Sequence, residues 1–274
     1  MESLAGARRR ERAQPRGSSA WTLIAREELV ELWLRGRGLP LMLAYSVLLS
    51  GLTYLAATNQ GLNFLEQREA LNLVAQAAVS VGALLGLLVS ADAISGERER
   101  GTLEALLLTP APRRHIVAGK LVAAASVWLG SLLVFLPYAI FLAAPLGTLL
   151  GTMAVTTLTG TLLALALVSL GIIVSTLSDS NRISLSVSLF VLLALFAPTQ
   201  LPGPAQRGWF GQLIQHVNPF TASAYYLKRV VVDARSWTED ASWLLSPAVA
   251  AVLLTVLAIV FASEHLHLSR GRGA

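Results

Sequence analysis

The sequence contains no cysteine, and this absence excludes disulfide bonds and thiolate metal sites. It also lacks the Gly-rich loop with which many ATPases cradle phosphates, because Arg114 stands where the first glycine belongs and Leu121 follows Gly119-Lys120. Neither the nucleophile elbow of serine hydrolases nor the histidine pair of zinc proteases occurs. We therefore predict no catalytic, cofactor-binding or metal-binding residue in this chain, and no enzyme activity of its own.

Charge is also scarce. Charged residues make up 14% of the chain, against roughly a quarter in a soluble domain, while hydrophobic residues make up 54%. The apolar residues form runs long enough to cross a bilayer, which takes roughly 17 to 25 residues. The sequence thus predicts an all-α integral membrane protein. Its six predicted spans are 39–57, 70–91, 121–143, 148–177, 183–200 and 244–263.

The distribution of lysine and arginine predicts how these spans are oriented. Sixteen of the 21 basic residues lie in the N-terminal region, in residues 92–120, at Arg182 or in the tail, and five lie in the alternate loops. Since cytoplasmic loops are enriched in basic residues, both termini are predicted to be cytoplasmic, in a protein of the inner (plasma) membrane. Pro198 shortens the fifth run and makes five spans an alternative, but two cytoplasmic termini require an even number. The basic charge requires no nucleic acid as partner.

The predicted spans contain no charged side chain. Carriers coupled to protons or sodium usually keep ionisable residues in the membrane, so the energy is predicted to come from outside this chain. In span two, Asn72 and Gln76 lie one turn apart, and Ser80 belongs to the same span. These three residues are candidates for a substrate path, with hydrogen bonds between helices as the alternative. Glycines and threonines in span four, around Gly160, predict close helix packing.

The N-terminal region divides into two parts. Residues 1–19, rich in Arg, Gly, Ser and Pro, are predicted to be disordered. Residues 20–37 are predicted to form an amphipathic helix along the membrane surface, with a solvated helix hairpinned onto the first span as the alternative. Residues 264–274 are predicted to be a cytoplasmic tail. The residues predicted to face lipid are Trp21, Ile24, Leu32 and Trp33, and those predicted to face water are Arg26, Glu27, Glu31 and Arg35.

Residues 92–120 form a dense block of charge between spans two and three. A short helix is predicted within it, at 103–109. Gly101 interrupts the chain, Thr102 is a good N-cap, and Pro110 cannot continue a helix.

This short helix carries a leucine face. Leu103, Leu106 and Leu107 share one side by their spacing, while Glu104 points elsewhere. Two turns of helix are unstable alone in water, because nucleation costs more than so few hydrogen bonds return. The leucine face is therefore expected to bind a partner surface.

The external loop, 201–243, is too long for a plain turn. Its apolar residues predict two short helices that dip into the outer leaflet and return, and a small soluble cap is the alternative.

Several motifs resemble those of one family. Residues 96–104, Gly-Glu-Arg-Glu-Arg-Gly-Thr-Leu-Glu, followed by Gly119-Lys120, resemble the cytoplasmic loop of type-2 ABC exporter permeases. Residues 25–29, Ala-Arg-Glu-Glu-Leu, are similar to the connecting helix of those proteins, with Glu28 matching the family's glutamate. Residues 175–182 resemble the short loop between the fourth and fifth spans of those permeases, and residues 218–220 resemble the Asn-Pro segment before their last span. The lead-in at 91–94 is similar to the branch that matures nitrous oxide reductase or exports drugs.

The resemblance implies a partner and a mechanism. Two permease chains, identical or related, would each dock on a separate ATPase subunit, and that subunit would bind ATP and magnesium. The helix at 103–109 would be the coupling helix, and the helix at 20–37 would touch the same subunit. The implied coupling residues are Glu97, Glu99, Arg100, Thr102, Leu103, Glu104, Leu106 and Leu107, and those of the connecting helix are Arg26, Glu28 and Glu31.

The predicted function is therefore the permease subunit of an ATP-driven exporter for lipidic, drug-like or oligosaccharide cargo. One alternative is an ABC-type membrane subunit that transmits force to an external partner protein. The other is a channel or carrier that acts alone, which the absence of charge in the membrane disfavours.

Overall fold

The computed structural model describes residues 20–58, 64–200 and 208–265, and its regular structure in these ranges is helical, with no strand. A π-helical turn, Glu31–Arg35, extends the first helix, and 3-10 turns occur at Ala197–Gln200 and Ala241–Leu244. The predictions for 1–19 and for most of the tail lie outside the described residues. The α-helices are α1 (Ala20–Val30), α2 (Gly38–Thr58), α3 (Phe64–Asp92), α4 (Ser95–Arg100), α5 (Thr102–Leu107), α6 (Arg113–Ala143), α7 (Leu149–Leu177), α8 (Asn181–Phe196), α9 (Trp209–Val217), α10 (Pro219–Val231) and α11 (Leu245–His265).

In the part of the chain that the structure describes, six helices are long and apolar enough to cross a membrane, namely α2, α3, α6, α7, α8 with the turn after it, and α11. They correspond to the six predicted runs, so the all-α membrane architecture is confirmed. The fifth span consists of α8 and the 3-10 turn that follows it, in which Pro198 lies. Proline has no amide hydrogen for the helical ladder, which explains why the α-helix ends at Phe196.

The centre of the bundle is formed by α3 and α7, which pack along each other. Over an apolar stretch of 18 residues, 56% of α3 and 56% of α7 are buried inside the protein, against 11% of the fifth span. At Gly160 of α7 an added Cβ would lie 2.1 Å from the ring of Trp128 in α6, so only glycine allows this approach. The predicted close packing of span four is confirmed at this contact.

The bundle has two ends. At one end, which we call the charged end, Arg37 before α2 pairs with Asp92 at the end of α3. The Oγ of Ser175 near the end of α7 accepts from the amide of Ser95 in α4, at 2.9 Å. The helices α1, α4 and α5 and the loop between α7 and α8 lie here. The opposite end carries α9 and α10.

At the opposite end, α9 and α10 confirm that the loop contains two short helices. Asn218 joins them: its Oδ1 accepts from the amide of Phe220 at 2.9 Å, capping α10, and its Nδ2 donates to the carbonyl of Leu195 at 2.8 Å. Phe220 and Tyr226 anchor α10 in the core. Trp209 of α9 is 79% exposed, and the dip of this helix into the outer leaflet stays a prediction.

Candidate functional site at the charged end

The chain between α3 and α6 folds into two short helices, α4 and α5, which meet at Gly101. Gly101 has a φ of 71°, a left-handed conformation that glycine adopts without the steric cost of a Cβ. The predicted break at Gly101 is confirmed, whereas the helix α4 that it ends was not predicted. The predicted N-cap role of Thr102 is wrong. Its hydroxyl donates backwards to the carbonyl of Glu97 at 3.3 Å, and no side chain caps α5.

The helix α5 is shorter than the predicted 103–109 and ends at Leu107. The chain already turns before Pro110, because the amide of Thr109 bonds to the carbonyl of Leu106 at 3.2 Å. The Thr109 hydroxyl donates to the same carbonyl at 2.6 Å and closes this tighter turn.

The leucine face of α5 is turned largely towards the protein's own bundle. Leu103 is 3% exposed and belongs to an apolar cluster that includes Val117 and Ile172, and Leu107 packs against this cluster. The expectation of a leucine face open to a partner is therefore wrong for Leu103. A helix this short gains stability from any apolar surface nearby, and α6 and α7 supply one. The outward side of α5 and its end consists of Thr102, Glu104, Ala105, Leu108 and Thr109.

A buried lysine ties three elements together at this end. The Nζ of Lys120, in α6, lies 2.6 Å from Oε1 of Glu28 in α1 and 2.6 Å from Oε1 of Glu97 in α4. The lysine side chain is 1% exposed, and the glutamates are 21% and 16% exposed. A buried ammonium is tolerated only when charged partners replace its water, and the two carboxylates do so. We call these three residues the Lys120 cluster.

The residue before this lysine explains how α1 reaches it. A Cβ on Gly119 would lie 2.7 Å from Cγ2 of Ile24, so α1 can lie this close to α6 only over a glycine. The two neighbouring residues therefore act together: Gly119 leaves space for α1 to pack closely on α6, and Lys120 binds α1 through Glu28.

The charges of α4 are also bonded within the chain. Arg98 donates to the carbonyls of Thr176, at 3.2 Å, and of Ser178. A carboxylate oxygen of Glu99 accepts from the amide of Asn181, the first residue of α8, at 2.8 Å. Of the coupling residues that the resemblance implies, Glu97 is thus bound to Lys120 and Glu99 to α8, and their contact with an ATPase subunit stays a prediction. Arg100 is exposed and forms no ion pair within the described residues.

The packing of α1 differs from the alternative of a hairpin onto the first span, and its position along the membrane surface stays a prediction. The helix lies against α6, not against the first span. Trp33, predicted to face lipid, donates from Nε1 to the hydroxyl of Ser126 in α6 at 2.9 Å. Of the three residues that the resemblance implies for the connecting helix, Arg26 and Glu31 are exposed. Glu28 is half-buried because it is bound to Lys120.

The predicted substrate-path residues lie deep in the bundle. Asn72 is 8% exposed, and its Oδ1 accepts from Nε2 of Gln76 at 3.3 Å. The same Nε2 donates to the carbonyl of Ala224 in α10 at 3.3 Å, which is the contact between helices named as the alternative. Ser80 and Gln76 line a cavity of only about 10 Å³, enough for one water molecule. A path along these residues needs a change of packing.

Sequence reasoning missed the Lys120 cluster. Gly119-Lys120 and Glu28 belong to separate motifs, and nothing in one sequence pairs residues so far apart. The available signal was the lysine itself, because a cation at the edge of an apolar run needs a carboxylate partner from another element. The pair of Arg37 with Asp92 was missed for the same reason. Within the described residues no group of three or more His, Asp or Glu could hold a metal ion.

The comparisons with known proteins agree with this architecture. No curated protein matches the sequence. Residues 38–267, which include all six spans, the α4–α5 loop and α9–α10, match the family described as ABC-2 family transporter protein. That family consists of membrane subunits of ABC transporters, which work with an ABC ATPase. The match identifies the family but no branch within it, so the resemblance to the branch that matures nitrous oxide reductase stays a prediction. The chain therefore belongs to the ABC-2 transporter family and is a membrane permease component of an ABC transporter.

Proposed function

We propose that this chain is the permease subunit of an ATP-driven exporter, that it acts as a pair of permease chains, and that each copy docks one ATPase subunit through the outward side of α5. The observation that carries the proposal is the position of α5. Leu103 holds its inner side on the bundle, while Leu108 at its end is 78% exposed. A large exposed leucine beside a firmly anchored turn is suited to a protein partner.

The anchors around α5 explain how a push on it could reach the membrane. Through Leu103 it contacts α6 and α7, and through Gly101 it continues into α4. From α4, Arg98 bonds to the end of α7 and the loop after it, and Glu99 bonds to the start of α8. Glu97 bonds to Lys120 of α6, which also binds Glu28 of α1. Closure of two ATPase subunits would then move these helices together as rigid bodies.

The absence of charge in the six apolar runs supports an outside source of energy, because ion-driven carriers keep ionisable groups there. The excess of basic residues supports a cytoplasmic charged end and an external α9–α10 end. Since the chain has no cysteine, single cysteines test this orientation. In intact cells Thr109→Cys should resist a membrane-impermeant maleimide and Ser236→Cys should react. The reverse pattern would place the charged end outside.

The docking assignment is tested with Leu108→Asp. Burying a carboxylate without a partner at the contact should abolish co-purification with the ATPase subunit and the stimulation of ATP turnover, while the purified permease keeps its thermal unfolding midpoint. Leu150→Asp is the matched control, because Leu150 is 86% exposed in the first turn of α7 at the opposite end. Full docking by the Leu108 variant would show that α5 is not the contact. Without the ATPase subunit, the permease should not hydrolyse ATP.

A further inference from the structure

A cavity of about 820 Å³ opens at the charged end, beside the Lys120 cluster. Its walls are formed by α1 and the π-helical turn, by the start of α2 and the end of α3, and by residues of α4, α6 and α8. Cavities that hold small molecules are usually roughly 300 to 1,000 Å³, so this one has room for a ligand of that size. Neither the family match nor the proposed coupling role assigns it a ligand.

The inner wall of the cavity is apolar and belongs to membrane spans. Leu41 of α2, Leu88 and Val89 of α3, and Leu185 of α8 contribute to it. The first and fifth spans border it from different sides, since α2 packs on α3 and α6 while α8 packs on α3 and α7. These residues belong to the predicted apolar runs, so they are at the level where acyl chains begin.

The outer rim carries unpaired charges of both signs. Glu27 of α1 and Glu31, the first residue of the π-helical turn, lie one turn apart, and both are exposed. Arg35, one further turn along, and Arg100 of α4 are exposed as well. None of these four forms an ion pair within the described residues, whereas Lys120, Glu28, Glu97, Arg37 and Asp92 around the same cavity are paired with one another.

We propose that this cavity binds the headgroup of a phospholipid with a primary amine, of the phosphatidylethanolamine type, with its acyl chains along the apolar wall. A primary ammonium donates charge-assisted hydrogen bonds to carboxylates such as Glu27 and Glu31, and guanidinium groups bind phosphate oxygens in pairs. An anionic lipid would satisfy only the arginines and would meet the glutamates unfavourably. A soluble phosphoethanolamine has the same charges but cannot use the apolar wall. The assignment of the lipid to the cytoplasmic leaflet rests on the proposed orientation of the chain. The binding itself does not depend on the ATPase subunit.

Lipid retention by the full chain tests the proposal. The purified protein is exchanged in detergent into phosphatidylethanolamine, phosphatidylcholine or phosphatidylglycerol, and the lipid that remains bound is counted by native mass spectrometry. We expect one phosphatidylethanolamine per chain, at least tenfold preferred over the other two, and no binding of free phosphoethanolamine. Equal retention of all three lipids, or preference for the anionic lipid, would overturn the proposal. Binding of free phosphoethanolamine as tight as that of the lipid would replace the membrane source with a soluble one.

Variants of the rim identify the site. Glu27→Gln with Glu31→Gln should abolish the preference for phosphatidylethanolamine and favour phosphatidylglycerol, because only the arginines remain. Arg35→Gln with Arg100→Gln should lose retention of both lipids. The control is Glu69→Gln, at an exposed glutamate near the other end of α3, which should leave the preference unchanged. An unchanged preference in both rim variants would contradict the site.

A cysteine at the apolar wall gives an independent readout, since it is the only one in the chain. Leu185→Cys should react with a maleimide at least fivefold more slowly in phosphatidylethanolamine than in phosphatidylglycerol. If the ATPase subunit protects this cysteine and the lipid does not, the cavity belongs to the docking surface and the lipid site is wrong.

Discussion

The two short helices α4 and α5 follow each other directly, are six residues long each, and use their side chains in opposite ways. In α4, the side chains of Glu97, Arg98 and Glu99 bond to three other elements of the same chain. In α5, Leu103 packs inward, while the opposite side and the following Leu108 are exposed. The charged half of the loop thus serves attachment, and the less charged half is the part available for contact.

A dense run of charge suggests contacts with a partner, yet here most of it holds the loop on the bundle. Firm attachment is what allows a small helix to transmit a displacement, because a loose one would move without moving the spans. The following variants test this division, starting with the largest expected effect.

Lys120→Met should cause the largest loss, because it leaves Glu28 and Glu97 facing each other without a cation. Removing one partner of a buried ion pair costs about 3 to 5 kcal/mol of folding free energy. We expect a lower thermal unfolding midpoint in detergent and loss of ATPase stimulation. Lys228→Met, at an exposed lysine of α10, is the control and should change neither. A stable Lys120 variant with full stimulation would show that attachment through α4 is not needed.

Leu103→Asp should destabilise the fold by about 3 kcal/mol, since it places a carboxylate in an apolar cluster. Leu107→Asp, which the sequence alone suggests as a change confined to docking, is expected to affect both folding and docking because Leu107 packs against the same cluster. Thermal unfolding and co-purification with the ATPase subunit separate the two effects. If Leu103→Asp unfolds at the wild-type temperature, the inward side of α5 has been assigned wrongly.

Arg98→Gln should cost about 2 kcal/mol, because it removes charge-assisted bonds to the carbonyls of Thr176 and Ser178. It should also weaken coupling between α4 and the α7–α8 loop, seen as reduced transport per ATP hydrolysed. Arg26→Gln, at an exposed arginine of α1, should leave thermal stability unchanged. Equal stability of the two variants would mean that the Arg98 bonds contribute little.

Gly101→Ala should have the smallest effect on stability, about 1 kcal/mol. Its φ is 71°, and an added Cβ would meet no atom within 4 Å, so the cost is confined to the backbone conformation. Thermal unfolding should detect this small loss, and Gly51→Ala, in an open position of helix α2, is the matched control and should not lower the midpoint. A loss as large as that of Leu103→Asp would indicate a packing role for Gly101.

The six spans could be predicted from the sequence because each depends on local composition, and Gly101 could be predicted because a helix break is a local event. The direction of the leucine face could not. Spacing places Leu103 and Leu107 on one side of a helix, but whether that side meets a partner or the same chain depends on where α6 and α7 lie. The Lys120 cluster was missed since its members come from three elements that only the folded bundle brings together.

The order of the Lys120 cluster along the chain has a consequence for biosynthesis. Glu28 and Glu97 both precede Lys120, so a ribosome releases the two acceptors before the ammonium that they neutralise. When α6 enters the membrane, the carboxylates of the earlier segments already exist to receive its lysine. The ammonium of Lys120 is therefore not left unpaired in a low-dielectric interior while its partners are still being synthesised. With the reverse order, an unpaired lysine at the membrane edge would persist through the synthesis of two further segments.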